Sequence, residues 1–164
     1  NKERGFHLVS AAGIHIEPIA LYSKKVTALA ELKDGATIAI PNDPTNEGRA
    51  LLLLQSAGLI KLDDKAGLEG TPINIVENKK NFKFSEIEAA SLPRVLTDVD
   101  AAVSATKDGL VVEGSDSPYV NIITVKEGKE NDAAIKALSN ALRSEKVKNW
   151  IKDSFPNGEV VAAF

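Results

Sequence analysis

The hydrophobic and polar positions fall into alternating strand-like and helix-like stretches. From Leu8 to Ser23, LVSAAGIHIEPIALYS alternates loosely. Ile14 and Ile16 turn one way and His15 and Glu17 the other, as in a half-buried strand. Pro18 interrupts the ladder and marks an edge, a bulge or a crossing between lobes. ALAELKDG reads as a helical turn closed by Gly35. ATIAIP is a buried strand ending at Pro41, and NDPTN starts a helix, with Asp43 or Thr45 as cap and Pro44 in the first turn. EGRALLLLQSAG continues that helix to a stop at Gly58. Further on, LIKL is a weak strand, KFSEIEA a strand with Phe82 and Phe84 on one face, and DAAV a brief strand. SLPRVLTDV is a short helix capped by Ser91, SATKDG a turn, and SPYVNIITVKEG a strand. From Asp132 on, Ile135, Leu138, Leu142, Val147, Trp150 and Ile151 recur at helical spacing, with Ser144 capping a second helix and Trp150 in the core. Strands alternating with helices predict a mostly parallel sheet, and Lys33 to Val103 should form a lobe with helices on both faces.

Composition narrows the classes. The chain has 164 residues, 43% hydrophobic and 26% charged, enough for a real core. A net charge of −3 argues against a nucleic-acid binder or a polybasic membrane-surface protein. With no cysteine, disulfide scaffolds, thiol nucleophiles and iron–sulfur clusters are excluded. Its two histidines, His7 and His15, are too few for a self-contained three-His metal site. The chain begins NKERGFHLVS and contains no methionine, so Asn1 reads as a processed or excised end, with any targeting segment upstream.

Candidate chemistry centres on PNDPTNEGR. In open α/β sheets, ligands sit beyond the carboxyl ends of strands, at helix N-termini. That places Asn42, Asp43, Thr45, Asn46 and Arg49 at such a position. The backbone N–H groups favour an anion, and Arg49 offers a planar fork matched to a carboxylate. The competing reading is a well-capped surface helix whose Arg49 pairs with Glu47 or water. In DSPYVN, Tyr119 and Asn121 point to one face, either to bind a ligand or simply to begin a strand. His15 and Glu17 are two potential metal ligands without the further two a site needs, so no metal or cofactor is expected. Asp98 and Asp100 form a possible acid–base pair with no nucleophile beside it. Ser104, Ser115 and Ser117 lack a nucleophile-elbow pattern. No enzyme activity is expected.

At PNDPTNEGRALLLL followed by AGLIKL, the chain resembles the NlpA/MetQ family of methionine-binding lipoproteins of ABC importers. GIHIEPIALYSKK, LKDGATIAIPND, EIEAASLPR, DVDAAV, GSDSPYVNIITV and VVAAF fit the same family in order. The resemblance implies an α/β, periplasmic-binding-protein-like (type II-like) fold of two lobes. Residues 1–32 would be a hinge and first-lobe remnant, 33–116 an essentially complete second lobe, and 117–164 a return hinge strand and C-terminal helices. It implies an extracytoplasmic, membrane-anchored solute-binding protein, tethered through a lipidated N-terminus. Methionine, a related amino acid or a dipeptide would be passed to an ABC permease and its ATPase. By motif, Arg49 would hold the ligand carboxylate in the cleft between the lobes and Asn121 would line the cleft, with Tyr119 beside it; Asn46, in the loop that leads to Arg49, is a further ligand-binding candidate. Two segments usual in the family do not occur: a longer stretch before GIHIEP, and an Asn- and Tyr-containing segment after DVDAAV. Both supply ligand contacts. The alternative expectation is therefore a ligand-incompetent fragment or a partner-binding lobe, with exposed apolar surface.

Overall fold

The computed structural model describes residues 1, 4–104, 109–114 and 116–164. In chain order the strands and helices are β1 (Leu8–Ile16), β2 (Ala20–Tyr22), β3 (Thr37–Pro41), α1 (Pro44–Ser56), β4 (Lys61–Leu62), β5 (Ile75–Glu77), β6 (Lys83–Ile87), α2 (Leu92–Val95), β7 (Ala101–Ser104), β8 (Val111–Val112), β9 (Asn121–Lys126), α3 (Ala133–Leu142), α4 (Glu145–Ser154) and β10 (Val161–Ala162). They form two compact units. Unit 1 comprises Asn1–Pro18 and Gly114–Phe164, and unit 2 comprises Ile19–Glu113.

Unit 2 is built on a five-stranded sheet in the order β6-β3-β7-β2-β8. β3 pairs parallel with β6 and β7, while β2 pairs antiparallel with β7 and β8, so β2 alone runs against the others. The central strands β3 and β7 carry apolar side chains that are wholly buried on both faces, from Ile38 to Ile40 and from Ala101 to Val103. One face of β3 presents Ile38 and Ile40 to α1, where they join Leu51, Leu54, Leu21 and Val103 in the main core. The other face presents Ala39, which with Ala102 packs against Leu92 of α2 and against Val99. Helices therefore cover both faces, as the pattern predicted. Fully burying each large aliphatic side chain contributes roughly 1.5–3 kcal/mol. The start of α1 is as read: Asp43 accepts from the Asn46 backbone N–H at 3.0 Å, Pro44 opens the helix, and Gly58, at φ +70°, follows its end.

Unit 1 corrects the expectation of a parallel sheet. Its three strands, in the order β10-β1-β9, are antiparallel throughout. The β1–β9 register slips between Ser10 and Ala12 and again between Gly13 and His15. These two bulges are why the alternation along LVSAAGIHI is loose. Ser144 caps α4, accepting from the Val147 N–H at 3.4 Å. Trp150 is not core: it is 61% exposed and meets Phe155 edge-on at 6.1 Å between ring centroids. Only Ile151 is buried on α4; Val147 and Trp150, at the same helical spacing, are not.

Three further readings change. The boundary placed at 32/33 moves to Pro18/Ile19, because β2 is an internal strand of the unit 2 sheet and carries residues 19–32 with it. Ser91 precedes α2 but its side chain makes no cap bond, since its own backbone is already helical in the turn Ala89–Ser91. Asp98 and Asp100 do not act together. Asp100 is a structural brace, accepting from the Thr37 N–H at 2.8 Å and from Lys25 Nζ at 3.2 Å. The Thr37 N–H, followed by Lys25, holds its carboxyl below the usual aspartate range. The turn read at SATKDG and the candidate Ser115 lie largely outside the described residues.

Candidate functional site

Arg49 is placed by a chain of local causes. β3 ends at Pro41, and the Asn42 N–H continues the ladder to the Ile87 carbonyl at 3.0 Å. Asp43 then caps α1, which starts beyond the carboxyl end of the central strand. Leu51 and Leu54 anchor the helix on the sheet. Gly48 lets it sit close to the turn Gly67–Glu69: a Cβ there would stand 2.2 Å from the Leu68 carbonyl oxygen. With those positions turned inward, Arg49 in the second turn reaches along the sheet toward the end of β8.

Its partner there is Glu113. Arg49 Nε donates to both carboxylate oxygens, at 3.0 and 3.1 Å, and Nη2 donates to Oε2 at 2.5 Å. The side chains are only 12% and 10% exposed. Glu113 Oε2 also accepts from the Ile19 N–H at 3.2 Å, and the Glu113 N–H donates to the Ile19 carbonyl at 2.9 Å. The pairing expected with Glu47 or water is thus taken by a residue that pattern reasoning missed. Glu113 is 64 positions from Arg49, so no local spacing links them. The one available signal was an acidic residue closing the apolar run LVVE. Removing one partner of a buried pair typically costs about 3–5 kcal/mol, because the other charge is left uncompensated.

The other candidates are distributed between the units. Asn46 belongs with Arg49 on α1, but its amide Nδ2 donates to both Asp43 carboxylate oxygens, each at 3.1 Å. It braces the cap. Tyr119 and Asn121 are in unit 1. The Tyr119 N–H donates to Ser117 Oγ at 3.1 Å. Asn121 opens β9 directly opposite His15, whose Nε2 lies 3.4 Å from Glu17 Oε1. His15 is thus satisfied by its neighbour. Among the described residues no cluster of three or more His, Asp or Glu is arranged to hold a metal.

Glu47, one residue before Gly48, is buried at 6% exposure, and its Oε1 has no hydrogen-bond partner. Burial, then the nearby Glu86 and Asp43 carboxylates, push its carboxyl above the usual range. A separate concavity of about 700 Å³ lies at the other end of α1, lined by Leu52, Gln55, Lys61, Asp63, Leu68 and Lys79 among others. It contains none of the four candidates. Its lining mixes acid and base on short loops, without the convergent fork that Arg49 supplies.

The family described as NlpA lipoprotein matches residues 1–164. Outer membrane lipoprotein 3 of Mannheimia haemolytica is 46% identical over 94% of this chain and 63% of its own length. The D-methionine-binding lipoprotein MetQ of Salmonella typhimurium is 45% identical over 97% of this chain and 64% of its own. The chain therefore spans less than two thirds of these curated relatives. Among solved structures, a nutrient-binding protein from Burkholderia cenocepacia bound to methionine is 46% identical, with a TM-score of 0.80 over 99% of this chain and 73% of that one. That similarity places the chain in the two-lobed α/β substrate-binding fold.

Proposed function

The chain belongs to the NlpA lipoprotein family, and from that premise we propose that it binds methionine, or a related amino acid or dipeptide, for an ABC importer. The protein would act outside the cytoplasm, held at the membrane by a lipidated N-terminus and handing its ligand to a permease and ATPase. Among the described residues no helix is long and apolar enough to cross a membrane. The role is one of binding and delivery rather than turnover.

The observation that carries this reading is Arg49. It is a nearly buried cation in the second turn of α1, beyond the carboxyl end of β3. An amino-acid ligand brings a carboxylate that must be paired when water is excluded, and a guanidinium does this in two-point fashion. Asn46 is the proposed neighbour of Arg49 on α1, and Asn121 and Tyr119 of unit 1 are further proposed ligand-binding residues. Calorimetric titration of L- and D-methionine tests the assignment. Arg49→Ala should cost about 2–5 kcal/mol of binding, the usual loss for truncating one partner of a buried charge pair. Arg49→Lys should restore only part, because an ammonium lacks the fork. Wild-type affinity in Arg49→Ala would refute the role.

A second reading is favoured by the Arg49–Glu113 pair itself: the guanidinium already has a carboxylate. On that reading the chain is a ligand-incompetent lobe that meets partner proteins. Absence of heat with either enantiomer is its expected result.

A further inference from the structure

We propose that Glu113 is a positioning residue for ligand capture, setting the plane in which Arg49 meets the ligand carboxylate. The inference rests on the carboxylate-binding role proposed for Arg49. Glu113 engages the guanidinium along its Nε–Nη2 edge, with three contacts between 2.5 and 3.1 Å. A planar group held along one edge by two acceptor atoms has no freedom to rotate about its long axis. The holder is itself fixed. Its carboxylate takes the Ile19 N–H, and its backbone N–H donates to the Ile19 carbonyl. Ile19 and Glu113 are also the first and last residues of unit 2. Arg49 is thus braced against the two points at which the chain enters and leaves that unit, rather than against a mobile surface side chain.

Displacement of Glu113 by a ligand is the less favourable alternative. It would strand a carboxylate that is 10% exposed, and an unpaired buried charge is costly. Ligand binding is therefore expected to use the pair intact.

The experiment compares wild type, Glu113→Gln and Glu113→Asp by titration with L-methionine, D-methionine and methioninol, which lacks the carboxylate. NMR exchange of the Arg49 Nε–H, assigned by its loss in Arg49→Lys, is followed in parallel. In wild type that proton should exchange more slowly than those of Arg4, Arg94 and Arg143. Glu113→Gln should accelerate the exchange and weaken methionine binding on the order of 10- to 100-fold, taking as the scale the loss seen when a group that orients a metal ligand is removed. Methioninol binding should not change. Glu113→Asp is one methylene too short to keep all its contacts and should fall between the two. It supplies the same comparison if Glu113→Gln fails to fold. Equal losses for methionine and methioninol would reduce Glu113 to a structural role and overturn the proposal. So would tighter methionine binding by Glu113→Gln, which would make Glu113 a competitor of the ligand. A wild-type chain that binds neither methionine enantiomer would overturn the methionine reading itself, and the role of Glu113 with it.

Discussion

In unit 2, α1 turns Leu51 and Leu54 onto a sheet whose Ile38, Ile40 and Leu21 are wholly buried. In unit 1, α3 carries Ile135, Leu138 and Leu142 at comparable helical spacing and buries none of them. The two helices announce themselves equally well in the sequence. They differ in what lies over the apolar stripe. The sheet under α1 offers branched side chains from several strands, whereas unit 1 offers three antiparallel strands with bulges, and Ile122 of β9 is 46% exposed. A hydrophobic period identifies a face, but its contribution to stability depends on the depth of the layer it meets.

The largest expected effect sharpens that contrast. Leu54→Ala empties a fully buried position and should destabilise by about 2–5 kcal/mol. Leu138→Ala removes a side chain that is 46% exposed and should stay within about 0.5 kcal/mol. Urea unfolding followed by far-UV circular dichroism measures both. Equal losses at the two positions would show that α3 is more deeply packed than its exposure indicates.

Glycines give the next test. In a helix, Gly→Ala usually gains about 1 kcal/mol. At Gly48 the sign should reverse: the new methyl would stand 2.2 Å from the Leu68 carbonyl oxygen and 2.8 Å from its carbon, both backbone atoms. A loss of about 1–3 kcal/mol is expected, as for overpacking elsewhere. At Gly13 in unit 1 the nearest atom is the end of a side chain, Val120 Cγ1 at 3.0 Å, which can move aside. Gly13→Ala should therefore cost less than Gly48→Ala. The reverse order in thermal melts would break the contrast between the rigid and the yielding region.

What was legible follows the same line. The path from ATIAIP through Asp43, Pro44 and the four leucines to Gly58 was readable because each cause is local: a β-branched run, a cap, a fixed φ, a left-handed stop. The family resemblance was readable from the same stretch, with Arg49 at its centre. The partner of Arg49 was not, because it comes from the far end of the unit and depends on β2 pairing with β8. The antiparallel order of unit 1 was hidden for a similar reason. β9 alternates, and β1 does so apart from its two bulges, yet alternation carries no direction. Trp150 was misplaced because helical spacing tells which residues share a face and not whether anything covers it. Asn46 was readable as polar and near the helix start, but its amide is engaged locally, bracing the Asp43 cap.

The smallest expected effect concerns two glutamates, one in each unit. Glu47 is buried with Oε1 unpartnered, and burial holds its carboxyl above the usual range. Glu127 lies 67% exposed beside His7. For a carboxyl raised in the folded state, the folded chain keeps a proton that the unfolded chain has lost. Stability therefore falls as pH rises from the unfolded value, about 4.3, through the raised folded value, and then levels off. Below the unfolded value both states are protonated and no penalty arises. Glu47→Gln cannot ionise, so its stability relative to wild type should climb over that same window, by up to about 1 kcal/mol at neutral pH, the scale of one unsatisfied buried polar group. Glu127→Gln removes a solvated carboxylate that is paired weakly at best and should change stability by less than about 1 kcal/mol. Urea midpoints measured from about pH 4 to neutral decide the matter. Curves for Glu47→Gln and wild type that run parallel would show that water reaches the carboxylate in unit 2 as freely as it reaches Glu127 in unit 1, and the difference in depth between the two regions would not extend to their charges.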